Sequence, residues 1–457
     1  MRHEACKLLV IGAGPGGYVC AIRAGQAGLD TIVVDEGRPG GTCLNVGCIP
    51  SKALIHAADE FHIAAGLSRP NALGITTAPP AIDLGQTVAW KDGIVARLTG
   101  GVGALLKKAA VRVIAGRAVI VDGKTVEVAG PDGPLRIAAE RIVIATGSRP
   151  QELPALPFGG DILSSTEALS LDRVPDRLAV VGGGYIGLEI GTAMAKLGAQ
   201  VTVVEAAARI LPQYDAELTQ PVLRRLATLG VTVLTRARAA SFSRGSLAVT
   251  MGDEPRDIPA DKVLVAVGRA PVTDGFGLKE LGLTMNGRYL AIDDRCQTSM
   301  RGVYAIGDVT GDPMLAHRAM AQGALVAGIL SGSAARWDKR AIPAVCYTDP
   351  EIVTVGKLPG NAPDEETALF PFAGNGRAMT LGRDDGFVRI VFRKSSGLVT
   401  GIQAVGPGVS ELAGEFALAL EMAATLTDIA ETIHAHPTLG ETVQEATMKA
   451  RGQALHI

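Results

Sequence analysis

The sequence has 457 residues, which is enough for about three domains of ordinary size. Lys and Arg together number 44 against 46 Asp and Glu, so the formal net charge is −2. Nucleic-acid-binding proteins carry a clearly basic surface, so this balance argues against a nucleic-acid partner. No apolar run approaches the length that crosses a bilayer, so we expect no membrane partner and a cytoplasmic location.

The composition favours an α/β protein. Apolar residues make up 47% of the chain and Gly numbers 57, as expected of a fold with many strand-to-helix turns. Six cysteines in so long a chain do not form a disulfide scaffold. A zinc site would need a second close cysteine pair, and since the sequence has none besides Cys43 and Cys48 we expect no metal.

A dinucleotide-binding pattern begins near the N-terminus. The apolar run 8–11 leads into Gly12-x-Gly14-x-x-Gly17 and a helical stretch, and the next strand, 31–34, ends at Asp35. In this context the first glycine makes a tight turn, the second lets the backbone approach a pyrophosphate, and the third lets helix and strand pack closely. We expect Asp35 to bind the ribose hydroxyls, with Glu36 as a neighbouring rival.

The same pattern recurs 170 residues later. Gly182-x-Gly184-x-x-Gly187 follows the strand 178–181, and the strand 201–204 ends at Glu205. One such motif is weak evidence, but two in equal register predict two dinucleotide sites, one for FAD and one for a nicotinamide nucleotide. A carboxylate binds a free 2′-hydroxyl and repels a 2′-phosphate, so Glu205 favours NAD over NADP, although Arg209 lies nearby.

Cys43 and Cys48 lie just ahead of a predicted helix. On an ideal helix their Cα atoms would be about 8 to 9 Å apart, beyond the about 7 Å that a disulfide spans. We therefore expect a distorted turn, for which Gly47 supplies the freedom. A helix N-terminus and Lys52 one turn on would favour a thiolate at Cys48. Two buried structural thiols are the alternative.

Further candidates follow the strands of the two units. A predicted helix at 81–108 and an antiparallel excursion at 111–140 precede the strand 142–145, which runs into Gly147. The strand 263–266 runs likewise into Gly268, so both glycines mark predicted crossings between domains. Asp308 follows the strand 303–306, where α/β proteins bind ligands, and capping of the next helix is its alternative role.

The last part of the chain changes character from residue 341. Strand-like segments at 344–355, 387–392 and 398–405, followed by helices at 410–424 and 426–433, predict an antiparallel sheet with helices. His434 and His436 then flank a proline turn before Glu441. These histidines could be metal ligands, part of a surface loop, or a catalytic base with Glu441 as its orienting acid.

These motifs together resemble the pyridine nucleotide-disulfide oxidoreductases, most closely the members that oxidise dihydrolipoamide. The residues that carry the resemblance are 40–52, 182–189, Gly307-Asp308 and 434–441. The resemblance implies an α/β fold with two doubly wound dinucleotide-binding domains and a C-terminal α+β dimerisation domain. Residues 1–148 and 270–335 would form the FAD-binding domain, 149–269 the NAD-binding domain, and 341–457 the dimerisation domain.

The resemblance also implies a role for each site residue of a homodimer. His436 of the other subunit, oriented by Glu441, would deprotonate dihydrolipoamide on the lipoyl domain of a 2-oxo acid dehydrogenase complex. The substrate would attack a redox disulfide at Cys43, and Cys48 would pass electrons to FAD and then NAD. Lys52 would lie beside the flavin and pair with Glu189. The cofactor-binding residues would be Gly12, Gly14, Gly17, Asp35, Lys52, Gly147, Asp308 and Ala316 for FAD, and Gly182, Gly184, Gly187, Glu205 and Gly268 for NAD.

Two departures and three alternatives accompany this interpretation. Asp35 stands where the family usually has Glu, and the segment 359–366 looks shorter than usual. A glutathione-reductase-like enzyme would carry arginines where residues 206–208 are alanines, and mercuric or large thioredoxin reductases would need a C-terminal redox pair. A non-catalytic flavoprotein scaffold would not need the intact Cys43, Cys48, Lys52 and His436.

Overall fold

The computed structural model describes residues 1–360 and 362–456, and its N-terminal part builds a mixed sheet flanked by helices. The elements in this part are β1 (Arg2–Ile11), α1 (Pro15–Gln26), β2 (Thr31–Asp35), α2 (Gly41–Val46), α3 (Cys48–Leu67), α4 (Leu84–Lys108), β3 (Arg112–Ala115), β4 (Arg117–Ile120), β5 (Thr125–Gly130) and β6 (Gly133–Ile144). The strand order is β3-β2-β1-β6-β5-β4.

The centre of this sheet is parallel because β1 lies between β2 and β6. Leu8 and Val10 pack on one face and Leu9 and Ile11 on the other, so the continuous apolar run of β1 is buried on both faces. The antiparallel excursion predicted at 111–140 and the separate strand predicted at 142–145 are joined in the structure, because the single strand β6 runs through the end of the first and into the second. Its first half pairs antiparallel with β5 and parallel with the extended start of β1, and its second half continues beside β1.

The second unit repeats the parallel arrangement. Its elements are β7 (Ser148–Pro150), β8 (Ile162–Leu163), α5 (Ser165–Ala168), β9 (Arg177–Val181), α6 (Tyr185–Lys196), β10 (Gln200–Glu205), α7 (Ala216–Thr228), β11 (Thr232–Thr235), β12 (Ala237–Ser243), β13 (Ser246–Met251), β14 (Glu254–Pro259), β15 (Lys262–Val265) and β16 (Arg269–Pro271). The five-stranded sheet has the order β11-β10-β9-β15-β8. Strands β12, β13 and β14 form a separate antiparallel sheet that the sequence analysis did not predict.

The chain then returns to the first sheet. The elements of the return are β17 (Met285–Asn286), β18 (Tyr289–Leu290), β19 (Val303–Ala305) and α8 (Ala316–Leu330). Strand β19 pairs in parallel with β6, and the two crossing segments, β7 and β16, pair with each other. This topology supports an interleaved first domain, whose limits at 148, 269 and 335 stay a prediction.

The C-terminal part is an antiparallel sheet covered by helices. Its elements are β20 (Ala344–Cys346), β21 (Glu351–Gly356), β22 (Glu365–Pro371), α9 (Gly376–Thr380), β23 (Phe387–Arg393), β24 (Val399–Gly406), α10 (Ala413–Glu421), α11 (Leu426–Glu431) and α12 (Glu441–Ala450). The order is β20-β21-β24-β23-β22. Strand β22 was not predicted; the predicted short segment at 359–366 leads into it, and Asn361 within that segment lies outside the described residues.

Among residues 1–360 and 362–456, no helix is both long and apolar enough to cross a membrane.

Candidate active site

The two cysteines lie on either side of a break between two helices. Helix α2 carries Cys43 and ends at Val46, and α3 begins at Cys48. Between them Gly47 leaves helical geometry, with φ −139° and ψ −107°. A Cβ at Gly47 would lie 2.9 Å from the backbone oxygen of Thr42, so only glycine fits the break. The expected distortion at Gly47 is therefore confirmed.

The two thiols are electrostatically unequal. When both are thiols, their side chains lie within hydrogen-bonding reach of each other. The hydrogen bond from Cys43 lowers the pKa of Cys48 to about 7, against the effect of burial, and the Lys52 cation adds to the lowering. The same hydrogen bond, with burial, raises the pKa of Cys43. The hydrogen bond and the Lys52 cation therefore favour the thiolate on Cys48 and the proton on Cys43.

Lys52 is held beside the thiols by a buried carboxylate. Its Nζ lies 2.8 Å from Glu189 Oε2 and 4.2 Å from the centre of the Tyr347 ring. The other Glu189 oxygen accepts a hydrogen bond from the Tyr347 backbone N–H at 2.9 Å. Burial opposes the charge of Lys52, but Glu189 outweighs it, and the net effect raises the pKa of the ammonium. Lys52 thus remains a cation.

The cysteines open onto a cavity of about 530 Å³. Cys48 is exposed only in the sense that it faces this space. The predicted FAD-binding residues Gly12, Gly14, Asp35, Lys52, Gly147, Asp308 and Ala316 line the cavity together with both cysteines and Glu189. Gly17 does not line it; a Cβ there would clash with the backbone oxygen of Gly12, so this glycine serves the packing of α1 on the turn.

The cavity fits a dinucleotide in shape and in polar groups. Gly12 has φ +101°, and a Cβ there would clash with the backbone of Ala145. Asp35 accepts hydrogen bonds from the N–H groups of Ala13, at 2.5 Å, and Gly37, at 2.7 Å. The rival Glu36 is exposed and lies 3.7 Å from Arg117 instead. The arrangement therefore favours Asp35 as the ribose ligand and a cradle of backbone around a pyrophosphate.

Asp308 belongs to this cavity and does not cap a helix. It lies in a short 3₁₀ helix, Gly307–Thr310, and accepts a hydrogen bond from Ser148 Oγ at 2.5 Å. Arg269 Nε in turn donates to Ser148 Oγ at 2.8 Å. Helix α8 begins only at Ala316, with Leu315 at the capping position. The capping alternative for Asp308 is therefore wrong.

The second unit has the same turn. Gly182 has φ +110°, and a Cβ there would clash with the backbone of Ala266, as Gly12 would with Ala145. Glu205 accepts hydrogen bonds from the N–H groups of Gly183 and Ala207, both at 2.6 Å. Gly184 has open space above it. Arg209 donates to Pro212 O at 3.2 Å, so its guanidinium is engaged away from Glu205.

Two other residues of this unit were predicted to bind the nicotinamide nucleotide. Gly187 underlies α6, where a Cβ would clash with the backbone oxygen of Gly182. Gly268, with φ +126°, lies next to the crossing strand β16. Tyr185 and Ile186, at the start of α6, reach the cavity of the cysteines, so the two units meet there.

The histidine loop, residues 432–440, lies outside this cavity. His436 Nδ1 is 2.8 Å from Glu441 Oε1, and Glu441 Oε2 accepts the Thr438 N–H at 2.8 Å. Its side chain is 81% exposed, and His436 is not among the residues lining the cavity of its own chain. His434 pairs with a different carboxylate, Glu415, at 3.0 Å. The two rings therefore do not converge, and the described residues contain no group of three or more potential metal ligands.

Several site residues were missed by the sequence analysis. Tyr347 supports both members of the Lys52–Glu189 pair, and Arg269 supports Ser148 beside Asp308. Ser148 follows Gly147 in the predicted crossing and could have been considered there. Tyr347 follows a short apolar strand with no recognisable motif, so the sequence alone contains no signal for it.

Comparison with protein families decides the class. Residues 6–323 match the model described as pyridine nucleotide-disulphide oxidoreductase, and residues 342–447 match the dimerisation domain of that group. The chain belongs to this family. Membership confirms the predicted fold class, the oxidoreductase class and the cofactors FAD and NAD, and the dimerisation domain supports a homodimer.

Relatives cover almost the whole chain. A dihydrolipoyl dehydrogenase of Pseudomonas aeruginosa is 57% identical over 99% of this chain and 98% of its own length. One of Geobacillus stearothermophilus is 44% identical over 99% and 97%. The crystal structure of LpdA from Mycobacterium tuberculosis has a TM-score of 0.88 at 32% identity, covering 97% of this chain and 99% of that one. The Escherichia coli flavoprotein disulfide reductase RclA, at 24% identity and a TM-score of 0.87, shows the same fold.

Proposed function

We propose that the chain oxidises dihydrolipoamide to lipoamide and reduces NAD to NADH, the activity for which its dihydrolipoyl dehydrogenase relatives are named. The observation that carries the proposal is the cysteine pair itself: Cys43 and Cys48 flank the break at Gly47, next to the Lys52–Glu189 ion pair, at the wall of a cavity lined by the predicted FAD-binding residues. The substrate is carried by the lipoyl domain of a cytoplasmic 2-oxo acid dehydrogenase complex.

Catalysis begins with proton removal by a histidine of the other subunit. The Nδ1–H of His436 donates to Glu441, which leaves Nε2 unprotonated and free to accept a proton from a substrate thiol. Strong exposure of His436, outside the cavity of its own chain, supports its action across the dimer. The Thr438 N–H fixes the second oxygen of Glu441 and thereby the direction of the ring.

The substrate thiolate attacks Cys43 Sγ of the oxidised Cys43–Cys48 disulfide. The S–S bond breaks, and its electron pair leaves with Cys48, whose low pKa makes it the better leaving group. The second substrate thiol attacks the substrate sulfur bound to Cys43, its proton passes to the departing Cys43 Sγ, and lipoamide is released. The substrate dithiol is thereby oxidised by two electrons, and the cysteine disulfide is reduced to a Cys43 thiol and a Cys48 thiolate, with the first proton on His436.

Lys52 keeps the negative charge on Cys48 after this exchange, and Glu189 keeps Lys52 in position. FAD, when bound in the cavity, supplies the two-electron transfer from the cysteine pair to NAD. The residues that would hold FAD are Gly12, Gly14, Asp35, Gly147, Asp308 and Ala316, and those that would hold NAD are Gly182, Gly184, Glu205 and Gly268, while Gly17 and Gly187 let each helix pack closely on its turn. Residues 1–148 with 270–335, 149–269 and 341–457 form the FAD, NAD and dimerisation domains.

The decisive experiment is anaerobic mixing of the FAD-loaded protein with dihydrolipoamide and either NAD or NADP. We expect NADH from the first mixture and far less NADPH from the second, because Glu205 repels a 2′-phosphate. Absence of NADH, or a preference for NADP, would contradict the proposal. Absorbance at the nicotinamide band measures both.

The base is tested with His436→Gln. Loss of a general base lowers the rate of flavin reduction by dihydrolipoamide by about 10²-fold or more, while NADH oxidation by an artificial acceptor does not need that proton transfer. His3→Gln, on an exposed part of β1, is the matched control and should leave both rates unchanged. Equal losses in the two half-reactions of His436→Gln would refute the base role.

A further inference from the structure

His434, two residues before the proposed base, lies between two hydrogen-bond acceptors. Its Nδ1 is 2.9 Å from the carbonyl oxygen of Thr432, and its Nε2 is 3.0 Å from Glu415 Oε1 on α10. The His434 side chain is only 8% exposed, whereas that of Glu415 is 38% exposed. The catalytic steps described above use neither residue.

These contacts determine where the protons lie. A carbonyl oxygen can only accept, so Nδ1 must carry a hydrogen. An ionised carboxylate is an acceptor only, so Nε2, which faces Glu415 Oε1, carries a second hydrogen. A ring with hydrogens on both nitrogens is an imidazolium. The remaining possibility is a neutral ring with a protonated Glu415.

We propose that His434 pairs with Glu415 as an imidazolium and positions the histidine loop, residues 432–440, by bridging α10 to the segment before His436. The consequence for the reaction rate rests on the proposed function, whereas the charge of His434 does not. His434 is thus a positioning residue that acts through His436 and does not touch the substrate.

The contacts of His434 reach both the start of the histidine loop, at Thr432, and its end, at Gly440. Thr432 O, the acceptor of His434 Nδ1, also accepts from Gln444 Nε2 of α12 at 3.0 Å. A Cβ on Gly440 would lie 3.7 Å from His434 Cδ2 and 3.9 Å from Glu415 Oε2. The ion pair therefore packs directly against the residue that precedes Glu441. Fixing His434 fixes the start of the loop and its end at the acid that orients His436.

The surrounding charges support the imidazolium. The hydrogen bond to Glu415 raises the pKa of His434 and outweighs the opposing effect of burial, and Glu441 on α12 raises it further. The pair has no net charge, so it holds the loop without placing an uncompensated ion beside His436. A glutamine at 434 offers one amide nitrogen and no charge, so it cannot replace two donors on opposite sides of a rigid ring.

NMR of the FAD-loaded dimer with ¹³Cε1- and ¹⁵N-labelled histidine measures the charge directly. The resonance that disappears in His434→Gln should keep imidazolium shifts from about pH 6 to about pH 8, where ordinary histidines titrate. A neutral-ring shift at neutral pH would overturn the proposal. If His434→Gln does not fold, Glu415→Gln identifies the resonance by displacing it.

The positioning role is measured by the two half-reactions. In His434→Gln and Glu415→Gln we expect flavin reduction by dihydrolipoamide to slow by about tenfold, with NADH oxidation by an artificial acceptor unchanged. Glu431→Gln, an exposed carboxylate near Arg451 in the same domain, is the matched control and should change neither. An unchanged dithiol rate in both variants would refute the positioning role. Failure of the wild-type protein to oxidise dihydrolipoamide would instead contradict the proposed function and leave the NMR result standing.

Discussion

The two glycine-rich units have the same local hydrogen bonds but different surroundings. In the first, Asp35 accepts from the N–H groups of Ala13 and Gly37; in the second, Glu205 accepts from those of Gly183 and Ala207, each 170 positions later. The turn geometry is therefore a property of the motif. Whatever distinguishes the two sites chemically must come from the chain around them.

The difference lies above the second glycine of each motif. A Cβ on Gly14 would lie 4.0 Å from the Cα of Gly41 in α2, the helix that carries Cys43. Gly184 has nothing within 4 Å at the same point. The segment that bears the redox pair therefore lies against the second glycine of the first motif, whereas no atom lies within 4 Å of the corresponding point of the second motif.

The redox pair is what the first site has and the second lacks, and its removal should have the largest effect. Cys48→Ser should lower NADH formation from dihydrolipoamide by about 10³-fold or more, because a hydroxyl cannot take part in disulfide exchange. FAD should stay bound, since the glycine cradle is untouched. A thiolate beside an oxidised flavin gives a long-wavelength charge-transfer absorbance band. This band should be lost in Cys48→Ser, because position 48 then carries no thiolate.

Cys43→Ser is the matched substitution, because it should abolish turnover equally but keep the band from Cys48. A band that persists in Cys48→Ser and vanishes in Cys43→Ser would reverse the roles of the two cysteines. Absorbance spectra of both variants provide the measurement.

Matched substitutions of the first glycine of each motif should separate the two sites. Both positions have φ above +100° and no room for a Cβ. Backbone strain alone costs about 1–2 kcal/mol, which is a factor of about 5 to 30, and the clash adds to it. Gly12→Ala should release FAD, whereas Gly182→Ala should retain FAD and weaken NAD binding.

Gly93→Ala, on α4 with open space around it, is the control and should change neither affinity. Flavin fluorescence after gel filtration and NADH titration measure the two outcomes. Loss of FAD from Gly182→Ala would show that the two units do not bind their cofactors independently.

The units could be predicted from the sequence because their requirements are local. A tight turn leaves no room for a Cβ, so it requires glycine at positions 12 and 182. The acid at the end of the second strand of each unit, Asp35 or Glu205, follows that glycine at the same sequence separation. The break at Gly47 followed from the reach of a disulfide. Tyr347 could not be predicted, because it meets Lys52 only after the C-terminal sheet packs against α6, and no local pattern records that contact.

Long-range pairing also explains the errors in the strands. The sequence pattern placed the start of β1 at residue 8, yet the strand extends back to Arg2 because β6 supplies partners for those residues. Likewise β14 contains Pro255 and Pro259 and has weak strand propensity of its own, and it forms because β13 pairs with it on a separate sheet.

Lys52 should shift the pH dependence of the first site. The pKa of Cys48 is about 7, so its thiolate is present above that pH and lost below it. Removing the cation in Lys52→Met raises this pKa by about one unit or more, so the thiolate–flavin band should appear only at higher pH. Lys339→Met, on the exposed surface, should leave the titration unchanged. A shift to lower pH would refute the electrostatic role of Lys52.

The smallest effect should come from exchanging the lengths of the two acids. Asp35→Glu and Glu205→Asp keep the charge but change the reach to the N–H groups of the turn, so each loses about 1 kcal/mol of hydrogen bonding, or about fivefold in affinity. The loss should fall on FAD in the first variant and on NAD in the second, as measured by equilibrium titration. Tighter FAD binding in Asp35→Glu would contradict this expectation and would mean that the shorter acid weakens FAD binding at the first site.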